Sequence, residues 1–199
     1  MGKLRDLAEK YGCDKLYAHS YIPFYEELLA YRNVRKVLEI GIGYEELMAP
    51  FVPKYVHGAS LLMWEEFWPE AKIYGCDIRS DVLNIKKPTD ESWEKLAEPS
   101  RIQTFLCDQA DPHELLHMVD RIGGNLDFII DDGSHFTEHQ ILSARVLLPH
   151  LSTSGVYVIE DVQEVKKVVE ELEEVGRHVY AVTSDKRVDD NLVVIKKRK

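Results

Sequence analysis

Short apolar runs alternate along this chain with longer stretches in which apolar residues recur every three or four positions. The first pattern reads as strand and the second as amphipathic helix. Strands are predicted at 35–40 (RKVLEI), 72–76 (KIYGC), 102–107 (IQTFLC), 127–130 (DFII), 156–159 (VYVI), 178–183 (HVYAVT) and 192–196 (LVVIK). Asp111-Pro112 supplies an N-cap and a first-turn proline to a helix whose stripe is Leu115, Leu116, Val119 and Ile122, and Gly123-Gly124 stops it. A second helix follows Val162, Val165, Val168, Val169, Leu172 and Val175 up to Gly176, its remaining positions filled by a solvated charge run. Thr137-x-x-Gln140 fits a capping box opening a helix toward Leu148, and Ser60 is placed to cap a short helix ahead of Pro69. Two helices, about Lys3 to Lys10 and Pro23 to Tyr31, precede the first strand.

Strands alternating with helices imply an α/β architecture, a doubly wound, mostly parallel seven-stranded sheet covered on both faces. Only the polar loop Ser184 to Asn191 joins the last two strands, so they form an antiparallel hairpin. No repeat or low-complexity linker divides the chain, which reads as one domain over 1–199, a helical segment at 1–34 leading into the core at 35–199. In such sheets ligands sit beyond the carboxyl ends of the strands, and the chemistry is sought there.

The first strand runs into EIGIGYEE, which begins as a dinucleotide fingerprint and then departs from it. Glu46 stands in place of the third glycine, and Glu45 and Glu46 bring negative charge where a pyrophosphate needs bare amides. Asp77 ends the second strand, where a carboxylate can accept ribose hydroxyls. Asp108 and Gln109 end the third and can bond an adenine edge. Singly, each acid is as well explained as a helix cap. In order along successive strands they suit a nucleoside cofactor without phosphates, S-adenosylmethionine, whose sulfonium an acidic cleft would favour.

The chain resembles class I S-adenosylmethionine-dependent methyltransferases, and among them the metal-dependent sugar O-methyltransferases of the macrolide mycinosyl and macrocin type. The matching segments are Tyr11-Gly-Cys-Asp-Lys15, His19-Ser-Tyr21, Leu38-Glu-Ile-Gly-Ile-Gly43, Gly58-Ala-Ser-Leu61, Tyr74-Gly-Cys-Asp-Ile78, Cys107-Asp-Gln109, Ile129-Ile-Asp-Asp-Gly-Ser-His135, His139-Gln140 and Gly155-Val-Tyr-Val-Ile-Glu-Asp161. The resemblance implies a Rossmann-like core in which Glu39, Gly41, Ser60, Asp77, Asp108, Gln109 and Asp131 surround the cofactor. It also implies that the fourth and fifth strands are neighbours. Asp132 then lies about 4.8 Å laterally from the Glu160-Asp161 strand end, and the three carboxylates become ligands for one cation. Hard oxygen donors make magnesium the first choice, with manganese or calcium as alternatives. His135, with an unperturbed pKa of about 6.5, is the expected general base toward a sugar hydroxyl.

Without the resemblance, DDGSH reads first as a turn whose acids cap the helix. His135 and His139 have the spacing of a zinc pair, but the capping box between them argues for His139 as a packing residue. Trp64, Phe67, Trp68 and Tyr21 read as core.

The formal charge of −10 opposes a phosphate backbone, so no nucleic-acid partner is expected despite the basic tail at 196–199. No apolar stretch approaches the ~20 residues of a membrane span, and no signal sequence opens the chain, so no membrane partner is expected and the cytoplasm is the expected compartment. Cys13, Cys76 and Cys107 lack metal-ligand spacing and read as reduced, partly buried thiols. The expected function is O-methylation of a sugar hydroxyl in a glycoside or glycan, by a homo-oligomer or by one part of a larger glycan-modifying polypeptide. Two other functions fit the same residues: methylation of a catechol or phenol, and a catalytically silent cofactor-binding module.

Overall fold

The structure is a computed structural model that describes residues 2–44, 48–50, 52, 56–88, 93–95, 100–175, 177–184 and 190–197. Glu45, Glu46, Gly176 and the end of the basic tail, on which parts of the sequence reading fall, lie outside them.

Strands β1 (Lys36–Ile40), β2 (Lys72–Asp77), β3 (Ile102–Leu106), β4 (Leu126–Asp131), β5 (Leu151–Ile159), β6 (Arg177–Val182) and β7 (Leu192–Lys197) form one sheet in the order β3-β2-β1-β4-β5-β7-β6. The first five are mutually parallel, and β7 runs antiparallel to both β5 and β6. The Rossmann-like sheet and its closing hairpin are thus as the alternation predicts. The chain moves outward from β1 through β2 to β3, then returns to the other side of β1 with β4. That reversal opens a crevice beyond the carboxyl ends of β1 and β4.

Period-two alternation divides the core between the two faces. Val37, Ile73, Phe128, Ile130, Val156 and Val158 face helices α1 (Lys3–Tyr11), α2 (Asp14–Tyr17), α3 (Ile22–Leu29) and α4 (Ala59–Phe67), packing with Leu4, Tyr25, Leu61 and Trp64. Leu38, Ile129, Tyr157 and Ile159 face α5 (Pro112–Ile122), α6 (Thr137–Leu147) and α7 (Val165–Glu173), packing with Leu115, Val119, Ala144 and Leu172. Trp64 and Trp68 lie in the first core with Phe67 against it, as expected, and the three cysteines are free as expected but more fully buried than the sequence suggests.

The local differences have physical reasons. The N-terminal segment contains three helices, because the four-residue α2 has no apolar period to reveal it. β5 begins five residues before the predicted 156, where Leu151 pairs with Leu126 ahead of a register irregularity. Gly58, in the left-handed conformation, opens α4 in place of Ser60. Phe136 holds the N-cap position of α6 without a side-chain bond, so the capping box is absent; the Gln140 amide donates instead to the carbonyl of Glu160, 3.0 Å away. A small hairpin at 86–88 and 93–95 was not legible in the pattern. At α5 the reading holds: the Asp111 carboxylate accepts from the N–H groups of His113 and Glu114. Among the described residues no helix is long and apolar enough to cross a membrane.

The crevice depends on Gly41. Its φ is +89°, and a Cβ there would collide with the carbonyl oxygen of Asp132. Gly41→Ala is expected to lower stability by about 1–3 kcal/mol from the backbone conformation alone, measured by urea unfolding.

Candidate active site

A cavity of about 590 Å³ occupies the crevice, with Gly41, Ser60, Asp77, Asp108, Gln109, Asp132, His135 and Asp161 among its walls. Asp77 binds the glycine turn to β2: one oxygen accepts from Ile42 N–H and the other from Arg79 N–H, each at 2.9 Å. Asp108 accepts from Ala110 N–H at 2.8 Å. Both acids therefore shape their own turns and also face the cavity. The Arg79 guanidinium lies over the Tyr44 ring at 4.2 Å and forms another part of the wall.

Three expected cofactor residues are placed differently. Gln109 reaches the wall, but its amide is engaged: Nε2 donates to Asp131 and Oε1 accepts from Ser134 N–H. It braces the Gly133 turn from the cavity wall. Asp131 is fully buried behind the wall, accepting from Gln109, Ser143 and Tyr157. Burial pushes its carboxyl up to about 6 despite those donors. Glu39 is equally buried, accepts from Trp64 Nε1 at 3.0 Å and from Ser60, and pairs with Lys15. It supports Ser60 from inside the fold.

On the opposite side of the cavity, the parallel pairing of Asp131 with Ile159 brings the next residues of β4 and β5 together. Asp132 Oδ1 lies 3.3 Å from His135 Nε2, and Asp161 Oδ2 lies 3.5 Å from the same nitrogen. Donor atoms of Asp132, His135 and Asp161 all fall within 4.8 Å of one another, a spacing that admits a cation. His135 and Asp161 have φ of 59° and 53°, a left-handed conformation that non-glycine residues avoid unless the surroundings impose it.

Glu160 lies outside that cluster of donor atoms. One of its oxygens accepts from the Tyr25 hydroxyl and the other from Lys15 Nζ at 2.8 Å, so its carboxylate points into the fold. Lys15, fully buried on α2, also meets Asp132 Oδ2 at 2.7 Å and Glu39 Oε1 at 3.2 Å. The Glu39 contact is an ion pair only, since that oxygen has no hydrogen bond. Tyr21, expected to be core, is buried and donates to Asp161 at 2.5 Å. Its ring stacks on His19, whose Nδ1 lies 3.3 Å from Asp190 and 3.4 Å from Asp161. The sequence reading gave no role to Lys15, His19, Tyr25 or Asp190. The Tyr11-to-Lys15 segment was the available signal, but only tertiary contact shows where its ammonium goes. His139 binds Ser134, not the cation-sized cluster.

Electrostatics follow from the contacts. Burial would raise Asp132, but Lys15 and then His135 more than offset it and hold the carboxyl well below its usual range. Burial opposes charge on His135, yet the hydrogen bond and charge of Asp132, followed by Asp161, lift it to about 9. Burial and the nearby charge of Asp132 raise Asp161.

No family model matches the chain. It is 36% identical over 163 residues to 8-demethyl-8-alpha-L-rhamnosyl tetracenomycin-C 2'-O-methyltransferase of Streptomyces olivaceus, covering 80% of this chain and 38% of that protein. It is 39% identical over 165 residues to demethylmacrocin O-methyltransferase of Streptomyces fradiae, covering 79% and 36%. The structure of the mycinamycin-pathway methyltransferase MycE, in complex with Mg and SAH, matches with a TM-score of 0.72 and 29% identity over 98% of this chain and 55% of that one. The chain is a homologue of the sugar O-methyltransferases. This homologue spans less than two-fifths of the length of the curated relatives it matches, 35–38% of each.

A raised histidine pKa stabilises the fold fully below its unfolded value of about 6.5, and the contribution is lost as pH rises through about 9. In chelator, the melting temperature is expected to fall across that window, and His135→Gln is expected to flatten the decline.

Proposed function

We propose that the chain is an S-adenosylmethionine- and divalent-metal-dependent O-methyltransferase acting on a sugar hydroxyl of a glycoside or glycan. The convergence of Asp132, His135 and Asp161 at the wall of a cavity that also presents Asp77 and Asp108 carries this reading. The cavity has the volume of a small-molecule site, and Gly41 lets the backbone come close to a ligand where any side chain would intrude.

Asp77 and Asp108 are positioned to accept the ribose and adenine-side donors of the cofactor, and Ser60 stands in the first turn of α4 beside them. Asp132 and Asp161 are the carboxylates that would hold the cation; their hard oxygens suit magnesium, and manganese or calcium are the alternatives. When bound, such a cation supplies Lewis-acid stabilisation of a hydroxyl losing its proton. His135 would be the base, its neutral imidazole accepting the hydroxyl proton at Nε2. Phe136, 64% exposed at the mouth with its ring against His139 at 5.3 Å, offers the acceptor an aromatic surface. The acceptor oxygen forms its bond to the methyl carbon as the carbon–sulfur bond breaks toward sulfur, so the cavity must hold the three atoms in line.

The relatives' names support the acceptor class: they are O-methyltransferases of a rhamnosyl tetracenomycin, of mycinamicin VI and of an L-olivosyl oleandolide. The same reading takes 1–199 as one methyltransferase domain working in the cytoplasm, as a homo-oligomer or within a larger glycan-modifying polypeptide.

Asp132→Asn is expected to bind S-adenosylhomocysteine within about threefold of wild type by calorimetry while losing at least about a hundredfold in turnover. Mass spectrometry of rhamnosides and catechols incubated with labelled cofactor tests the acceptor. Methylation of catechols alone, or turnover that survives a chelator, overturns the reading.

A further inference from the structure

Four carboxylates, Glu39, Asp132, Glu160 and Asp161, crowd the inner end of the cavity, with side chains 1%, 14%, 1% and 7% exposed. Leaving a buried charge uncompensated is strongly destabilising. His135 and His19 lie against Asp132 and Asp161 from the cavity side. On the inner side the compensation is Lys15, in ion-pair contact with Glu39, Asp132 and Glu160 at once. The ammonium occupies Asp132 Oδ2 and leaves Oδ1 toward His135 and the cavity. One cation therefore already sits behind the acids, and the place for a second lies in front of them.

We propose that Lys15 is a resident cation that holds the acid cluster in its folded arrangement without metal, so that folding is uncoupled from metal binding and the ion can exchange. This inference rests on the metal-dependent reading above. Lys15 is here a positioning residue: it acts through Asp132 and Glu160 and lines no part of the cavity. A small domain whose acids lacked such a partner would need the metal in order to fold, as structural metal sites do. A ligand that binds only the native state raises its stability according to concentration and affinity. The metal-induced rise in melting temperature therefore reports how far folding depends on the ion.

The test compares wild type with Lys15→Met in chelator and in saturating magnesium, with manganese affinity read by electron paramagnetic resonance and S-adenosylhomocysteine binding as the check on folding. The variant is expected to melt lower in chelator, to gain at least about twice the wild-type rise with magnesium, and to bind manganese at least about threefold more tightly. Equal magnesium shifts in two proteins that both bind manganese, or weaker manganese binding by the variant, overturn the role of Lys15 and leave the metal reading intact. A wild type that binds no manganese sinks both. Should Lys15→Met not fold, Lys15→Met/Glu160→Gln, with one cation and one acid fewer, replaces it. That protein is expected to fold and to show a magnesium shift close to wild type, and its failure to fold overturns the proposal.

Discussion

Removing carboxylates from water is the constraint around which this molecule is arranged. Each buried charge costs several kcal/mol unless an opposite charge and hydrogen bonds replace the lost solvent. Here acids at the ends of β1, β4 and β5 converge within one shell, where their mutual repulsion would open the crevice. The Lys15 ammonium, the Tyr21 and Tyr25 hydroxyls, the Ser60 hydroxyl and the Trp64 indole fill that shell from the helical layer. The site is consequently a product of both layers: the sheet brings the acids together and the N-terminal helices make their proximity tolerable.

Parallel pairing then converts a one-dimensional order into a division of labour. Asp131 and Asp132 point to opposite sides of β4, so the first braces Gln109, Ser143 and Tyr157 behind the wall while the second faces Lys15 and His135. The left-handed backbone at His135 and Asp161 shows the same discipline. A conformation that costs about 1–3 kcal/mol per residue survives where the surrounding contacts fix it, and both residues point their side chains at a common center.

Most of the sheet was legible because its strands are continuous apolar runs bounded by turns, and the hairpin followed from a loop too short for a crossover. β5 was misjudged at its start because Leu151-Ser-Thr-Ser-Gly155 is polar, although the neighbouring β4 still recruits it into the ladder. At the site, Asp77, Asp108, Asp132, His135 and Asp161 each end a strand or follow one closely and all line the cavity, although the last three were singled out through the resemblance and not by strand position alone. Glu39, Gln109, Asp131 and Glu160 share that position, but strand position does not say which way a side chain turns or whether another residue has already claimed it. Lys15 was out of reach for a related reason: nothing local distinguishes a lysine bound for the interior from the many that stay in water.

Lys15 stands 117 positions before Asp132 and 145 before Glu160. The opening segment and the two acidic strand ends are consequently a matched set, even though the chain separates them by most of its length. A chimera joining this core to an opening segment with no lysine at that place would inherit the acids without their ammonium, so the start of β1 is not a free boundary for exchanging parts.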